Sequence, residues 1–127
     1  MGPGAKRPSP PYGCGMAHYE HVLRGDVDSF VAHLDSTIPA GSISASLEDR
    51  ADQRIGDARM VVRMYERYSA LGGNRVSLCI SVLAVGDEMS VSAITAGGSQ
   101  AVFWKLNTVG ESTFLQRGVD AILSFPR

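Results

Sequence analysis

The stretch Val76-Ser77-Leu78-Cys79-Ile80-Ser81-Val82-Leu83-Ala84-Val85-Gly86-Asp87-Glu88-Met89-Ser90-Val91-Ser92-Ala93 decides the fold. Val76, Leu78, Ile80, Val82 and Ala84 alternate with Ser77, Cys79, Ser81 and Leu83, the period of a half-buried strand. Gly86-Asp87 suits a two-residue hairpin loop, which pairs Val85 with Glu88. Val82 then falls opposite Val91 and Ile80 opposite Ala93. On the other face Ser81 falls opposite Ser92, and Leu83 opposite Ser90. Turn and alternation agree on one register, and a slip of one residue would exchange the two faces.

Working back from the hairpin, Leu71-Gly72-Gly73-Asn74 reads as a turn. Met60, Val62 and Met64 alternate with Val61, Arg63, Tyr65 and Arg67, and this reading places Arg63, Tyr65 and Arg67 on the open face. Gly56-Asp57 is an earlier turn, and the charged run Glu48 to Arg54 reads as a solvated loop or hairpin tip. Ile43, Ala45 and Leu47 alternate with Ser44, Ser46 and Glu48 as a further strand. Before it, Asp26 is placed to cap a helix whose apolar stripe is Val27, Phe30, Val31, Leu34 and Ile38. Asp28 and Asp35 lie off that stripe, and Pro39 and Gly41 end the helix. His18 to Arg24 reads as the first strand, broken by Gly25.

Working forward, Gly97-Gly98 ends the second hairpin strand, and Ala101 to Leu106 reads as a short extended segment. Thr108 and Glu111 have capping-box spacing ahead of a last helix. Its stripe is Phe114, Leu115, Gly118, Val119, Ile122 and Phe125. A glycine inside a helix costs about 1 kcal/mol relative to alanine, so Gly118 points to a close approach of helix and sheet.

The order is strand, helix, four or five strands, helix. It predicts an α+β fold: an antiparallel sheet of about five strands with two helices packed on one face. The other face must then meet water, a ligand or another subunit. The 127 residues suit one domain, and 44% apolar with 20% charged residues is ordinary globular usage. Residues 1–15 hold four of the six prolines and four of the fourteen glycines, so they read as a disordered tail ahead of a domain at 16–127. Met16-Ala17-His18-Tyr19-Glu20 reads as a start of its own.

The formal net charge is −1, and setting aside Lys6 and Arg7 of the tail makes the remainder still more acidic. That balance argues against nucleic acid as a partner. No apolar run is long enough for a membrane span, and no signal peptide is expected. Cys14 and Cys79 sit in unlike contexts and suggest no disulfide framework, which fits a reducing cytoplasm.

Arg63, Tyr65, Arg67, Ser81 and Ser92 form the first candidate site, a shallow polar surface in which arginine offers a planar fork for a carboxylate or phosphate. The competing reading is a plain solvated or subunit-contact face. Gly97-Gly98-Ser99-Gln100 is the second, since successive N–H groups of a glycine-rich turn can cradle an anion. It lacks the Lys-Ser/Thr pair of a phosphate loop, so a bulge or tight turn competes. Cys14, His18 and His21 have a metal-like spacing, but on a strand His18 and His21 point to opposite faces, so no metal site is expected. Phe103 and Trp104 beside Lys105 read as a core or interface anchor rather than a base-stacking platform. No nucleophile–base pair is recognisable, and no cofactor is expected.

The stretches Tyr65-Glu66-Arg67-Tyr68-Ser69, Gly72-Gly73-Asn74-Arg75-Val76-Ser77-Leu78 and Ile94-Thr95-Ala96-Gly97-Gly98-Ser99-Gln100-Ala101-Val102-Phe103-Trp104-Lys105 resemble a family of short bacterial proteins of unknown function, from about Met16 to Phe125. The resemblance implies a bacterial cytoplasmic protein and carries over no catalytic residues. The element order is similar to the TATA-binding-protein-like and helix-grip architectures, an analogy of fold only. Two functions are expected to compete. One is a non-enzymatic binding or self-assembly module using the open sheet face, with a second copy or a small anion as partner. The other is a small-molecule enzyme of helix-grip type, with a pocket between the sheet and the C-terminal helix.

Overall fold

The computed structural model describes residues 16–41, 44–68, 75–97 and 104–126, with the backbone alone at Met16 and over 104–113. The elements are β1 (Met16–Arg24), α1 (Val27–Ala40), β2 (Ser46–Ile55), β3 (Ala58–Tyr68), β4 (Arg75–Val85), β5 (Glu88–Gly97) and α2 (Trp104–Leu123). The five strands form one antiparallel sheet in the order β1-β5-β4-β3-β2, and the fold is α+β as expected.

The β4–β5 hairpin has the register its turn dictates: Val85 opposite Glu88, Val82 opposite Val91, Ile80 opposite Ala93 and Ser81 opposite Ser92. Gly86 and Gly56 carry φ of 62° and 57°, the positive value that the first central residue of a primed hairpin turn needs. Leu78, Ile80, Val82, Val91 and Ala93 are buried with Phe30, Leu34 and Ile38 of α1 and with Phe114, Ala121 and Ile122 of α2. Both helices therefore lie on one face. Asp26 caps α1 as expected, its Oδ2 accepting from the Ser29 N–H at 2.9 Å. A Cβ on Gly118 would stand 3.1 Å from Leu78 Cδ2, so α2 and β4 do approach closely there.

Several expectations need correction. Glu48 to Arg54 is no loop: it lies within β2, an edge strand that among the described residues pairs with β3 alone. Water reaches both faces of such a strand, so ladder hydrogen bonds hold it without an apolar side. β1 starts at Met16, and Pro39 lies within the last turn of α1, which runs to Ala40. α2 begins at Trp104, so Leu106 is helical and Thr108 sits inside the helix rather than at its cap. The largest correction concerns β3. Tyr65 pairs with Leu78, Arg63 with Ile80 and Arg67 with Val76. Arg63, Tyr65 and Arg67 thus share the helix-covered face, while Met60, Val62 and Met64 look outward. Residues 1–15, the turn at 71–74, Gly98, Ser99, Gln100 and the start of the expected extended segment lie outside the described residues.

Candidate functional site: the open sheet face

The strand registers sort the open face into rows. From the Gly56 and Gly86 turns upward they read Arg24–Glu88–Val85–Ala58–Ile55, then Val22–Ser90–Leu83–Met60–Gln53, then Glu20–Ser92–Ser81–Val62–Ala51, then His18–Ile94–Cys79–Met64–Asp49. The charged and histidine side chains of these rows, Arg24, Glu88, Glu20, His18 and Asp49, all sit at the margins. The centre is uncharged. Leu83 is 51% exposed, Val85 50% and Met60 38%, so large apolar side chains stand in solvent there. Ser81, Ser92, Ala51 and Cys79 are small and keep the middle low between them. Beyond the fourth row the rim closes with Glu66, which accepts from Ser77 Oγ at 3.3 Å and pairs with Arg75 at 3.4 Å.

Five strands about 4.8 Å apart and four rows about 6.7 Å apart enclose on the order of 650 Å² in projection. Eleven of these twenty positions are apolar, so the apolar part covers on the order of 350 Å² inside a polar and charged margin.

The helix-covered face carries a different chemistry. Tyr65 is fully buried, and its hydroxyl donates to Asp35 Oδ1 at 2.6 Å. Arg63 Nε reaches both oxygens of the same carboxylate at 3.2 and 3.1 Å. Burial first, and then the bond to Asp35, push the Tyr65 phenol well above its ordinary range. Arg59 forks onto Asp52 at 2.9 and 2.6 Å and meets Asp28 at 2.9 Å. Those two carboxylates raise the Arg59 pKa, and the Arg59 hydrogen bond lowers that of Asp52. The Arg67 guanidinium lies 5.0 Å from the Phe114 ring centroid, and burial lowers its pKa, with Arg117 adding to the effect. His33 Nε2 lies 2.9 Å from both Ala121 O and Ser124 Oγ and so joins the two helices.

The first candidate cluster is therefore split by the sheet. Arg63, Tyr65 and Arg67 serve the α1–sheet and α2–sheet contacts, while Ser81 and Ser92 stand opposite one another on the open face. Gly97 closes β5 at φ 119°, where a Cβ would come within 2.5 Å of the Arg75 carbonyl oxygen, so a tight backbone approach accounts for this glycine. His18 and His21 do point to opposite faces: His18 pairs with the outward Ile94, His21 with the buried Val91. Sequence reasoning missed Met60, Val62 and Met64 as face residues. The signal was available in the β4 pattern, once Tyr65 is set opposite Leu78.

These features define a class: a small α+β module whose sheet, among the described residues, has one face covered by helices and one bare. The chain belongs to a family of unknown function, DUF6054, which covers residues 16–125. It matches no curated protein. Among the described residues no helix is long and apolar enough to cross a membrane.

Proposed function

We propose that this protein is a non-catalytic self-assembly module, and that the bare sheet face is its working surface, seated against the same face of a second copy. The observation that carries the reading is the uncharged centre around Met60, Val62, Leu83 and Val85 inside a charged margin. Burying such side chains stabilises a contact by about 25 cal/mol per Å² of apolar surface before association costs. Methionine adapts to an imperfectly matched partner. A reducing cytoplasm, bacterial by the resemblance of the motifs, suits a face with a thiol, Cys79, near its middle.

The competing readings have less support. A small anion on this face would have Ser81 and Ser92 to meet it, but Arg63 and Arg67 point to the other side. A helix-grip pocket would need space under α2, yet Phe114, Ala121 and Ile122 are buried to 1% or less and Gly118 abuts Leu78. Sedimentation equilibrium tests the proposal. The wild-type protein should exceed the mass of one chain, and Leu83→Glu, which places a charge mid-face, should lower the stoichiometry. A Leu83→Glu variant with unchanged mass overturns it.

A further inference from the structure

The two margins of the sheet are built differently. β2 carries five charged residues among its ten, Glu48, Asp49, Arg50, Asp52 and Arg54, and its ladder shifts register between Leu47 and Asp49. Charges and bulges are the devices by which an edge strand refuses another strand. β1 carries only two charged residues among its nine, Glu20 and Arg24, of opposite sign, has no bulge, proline or lysine, and pairs with β5 throughout without a shift.

The outward groups of β1 can be assigned. Gly25 N–H donates to Asp87 O at 2.8 Å, so this opposed pair is hydrogen-bonded. Antiparallel pairs alternate, so Leu23, His21 and Tyr19 also turn their backbone groups to β5. The N–H and C=O groups of His18, Glu20, Val22 and Arg24 then face out from the sheet margin.

We infer that this margin is a second contact surface, taken by β1 of another copy, which pairs antiparallel across a two-fold axis at Val22. The axis places Val22 opposite Val22 and Glu20 opposite Arg24 on both sides, so the sequence Glu20-His21-Val22-Leu23-Arg24 is complementary to itself. Registers shifted by two and by four residues set Glu20 against Val22 or against a second Glu20, and forfeit this pairing. Val22 is 60% exposed and becomes the apolar centre of the join. Arg24 now meets Asp87 at 2.9 Å and Glu20 meets His18 at 2.9 Å, both in solvent, where such pairs contribute little and exchange readily. The result is one ten-stranded sheet that doubles the bare face and ends in a guarded β2 on either side.

The inference is independent of the face contact, and a pair of variants separates them. Leu83→Glu removes the face and should leave a dimer. Val22→Pro in that background should give a monomer, because proline at an outward N–H blocks an incoming strand while sparing the bonds to β5. Glu20→Arg in the same background sets like charges across the join and should also give a monomer, and the swap Glu20→Arg with Arg24→Glu should restore the dimer. The swap keeps the test decisive if the proline variant fails to fold by circular dichroism. A monomeric Leu83→Glu protein, or a Leu83→Glu dimer indifferent to both Val22→Pro and Glu20→Arg, overturns the edge contact. A wild-type mass unchanged by Leu83→Glu but lowered by Val22→Pro overturns the face and leaves the edge standing.

Discussion

Asp35 gathers the Tyr65 hydroxyl and the Arg63 guanidinium onto one half-buried carboxylate. A hydrogen bond to a charged group contributes about 1.5–3 kcal/mol, and partial solvent access puts this one at the low end. Tyr65→Phe should therefore lower stability by about 1–2 kcal/mol in urea unfolding, and Tyr65→Ala by about 3–5 kcal/mol, since it also empties a core site. At the start of α1, the backbone N–H of Ser29, and then its hydroxyl, lower the pKa of Asp26. A carboxylate depressed on folding stabilises above its unfolded pKa of about 3.9, and the contribution is lost as pH falls through the folded value. Asp26→Asn retains a capping oxygen that does not titrate. The wild-type melting temperature should thus fall more steeply than that of Asp26→Asn below about pH 4, as read by thermal melts from pH 6 downward. None of the Asp35 network was legible in the sequence. An aspartate off an apolar stripe and an arginine on a strand each look solvated, and only the packing of α1 over β3 brings them together.

Element by element, α1 and β3 are matched in pitch. Asp28 and Asp35 lie seven residues apart on α1, about 10 Å along a helix, and they reach Arg59 and Arg63, four residues or about 13 Å apart on the strand. The helix is thereby fixed in register as well as held by its apolar stripe. α2 is placed by a different device, the missing side chain at Gly118. Gly118→Val should destabilise by about 1–3 kcal/mol through overpacking against Leu78, while Gly118→Ala should cost less, because the helix preference for alanine offsets part of the crowding. Guanidinium unfolding of the two variants gives the comparison. The β4–β5 register could be read from sequence because a two-residue turn leaves it no freedom, and the closeness at Gly118 could be read from its place in the stripe. The facing of β3 could not. Val61 and Tyr65 compete with Met60, Val62 and Met64 as apolar sets, and the buried arginines disguise the true one. β2 was hidden for a related reason, since an edge strand can consist of charges throughout Glu48 to Arg50.

For the whole molecule, the sheet divides two kinds of chemistry. The Asp35 and Arg59 ion pairs and packed aromatics sit under the helices, and methionine, leucine, serine and a thiol sit at the centre of the bare side, whose own ion pairs stay at its margin. Cys79 lies in that second set, beside Met64 and Ile94. If the face is covered in the assembled protein, Cys79 should react with a maleimide more slowly in a Cys14→Ser background than when Leu83→Glu is added, as followed by intact mass. Equal rates would argue against a covered face.

The bulge at Leu47/Asp49 and the crowd of charges along β2 have a bearing on behaviour in concentrated solution. A sheet that can be extended from both sides grows without limit into fibrils, whereas this one has a terminus written into its outermost strand. Neutralising that terminus, by turning Glu48, Asp49, Arg50 and Arg54 to threonine and leaving Asp52 on Arg59, should convert a clear stock into one that gels and binds thioflavin, while the native chain stays a countable particle.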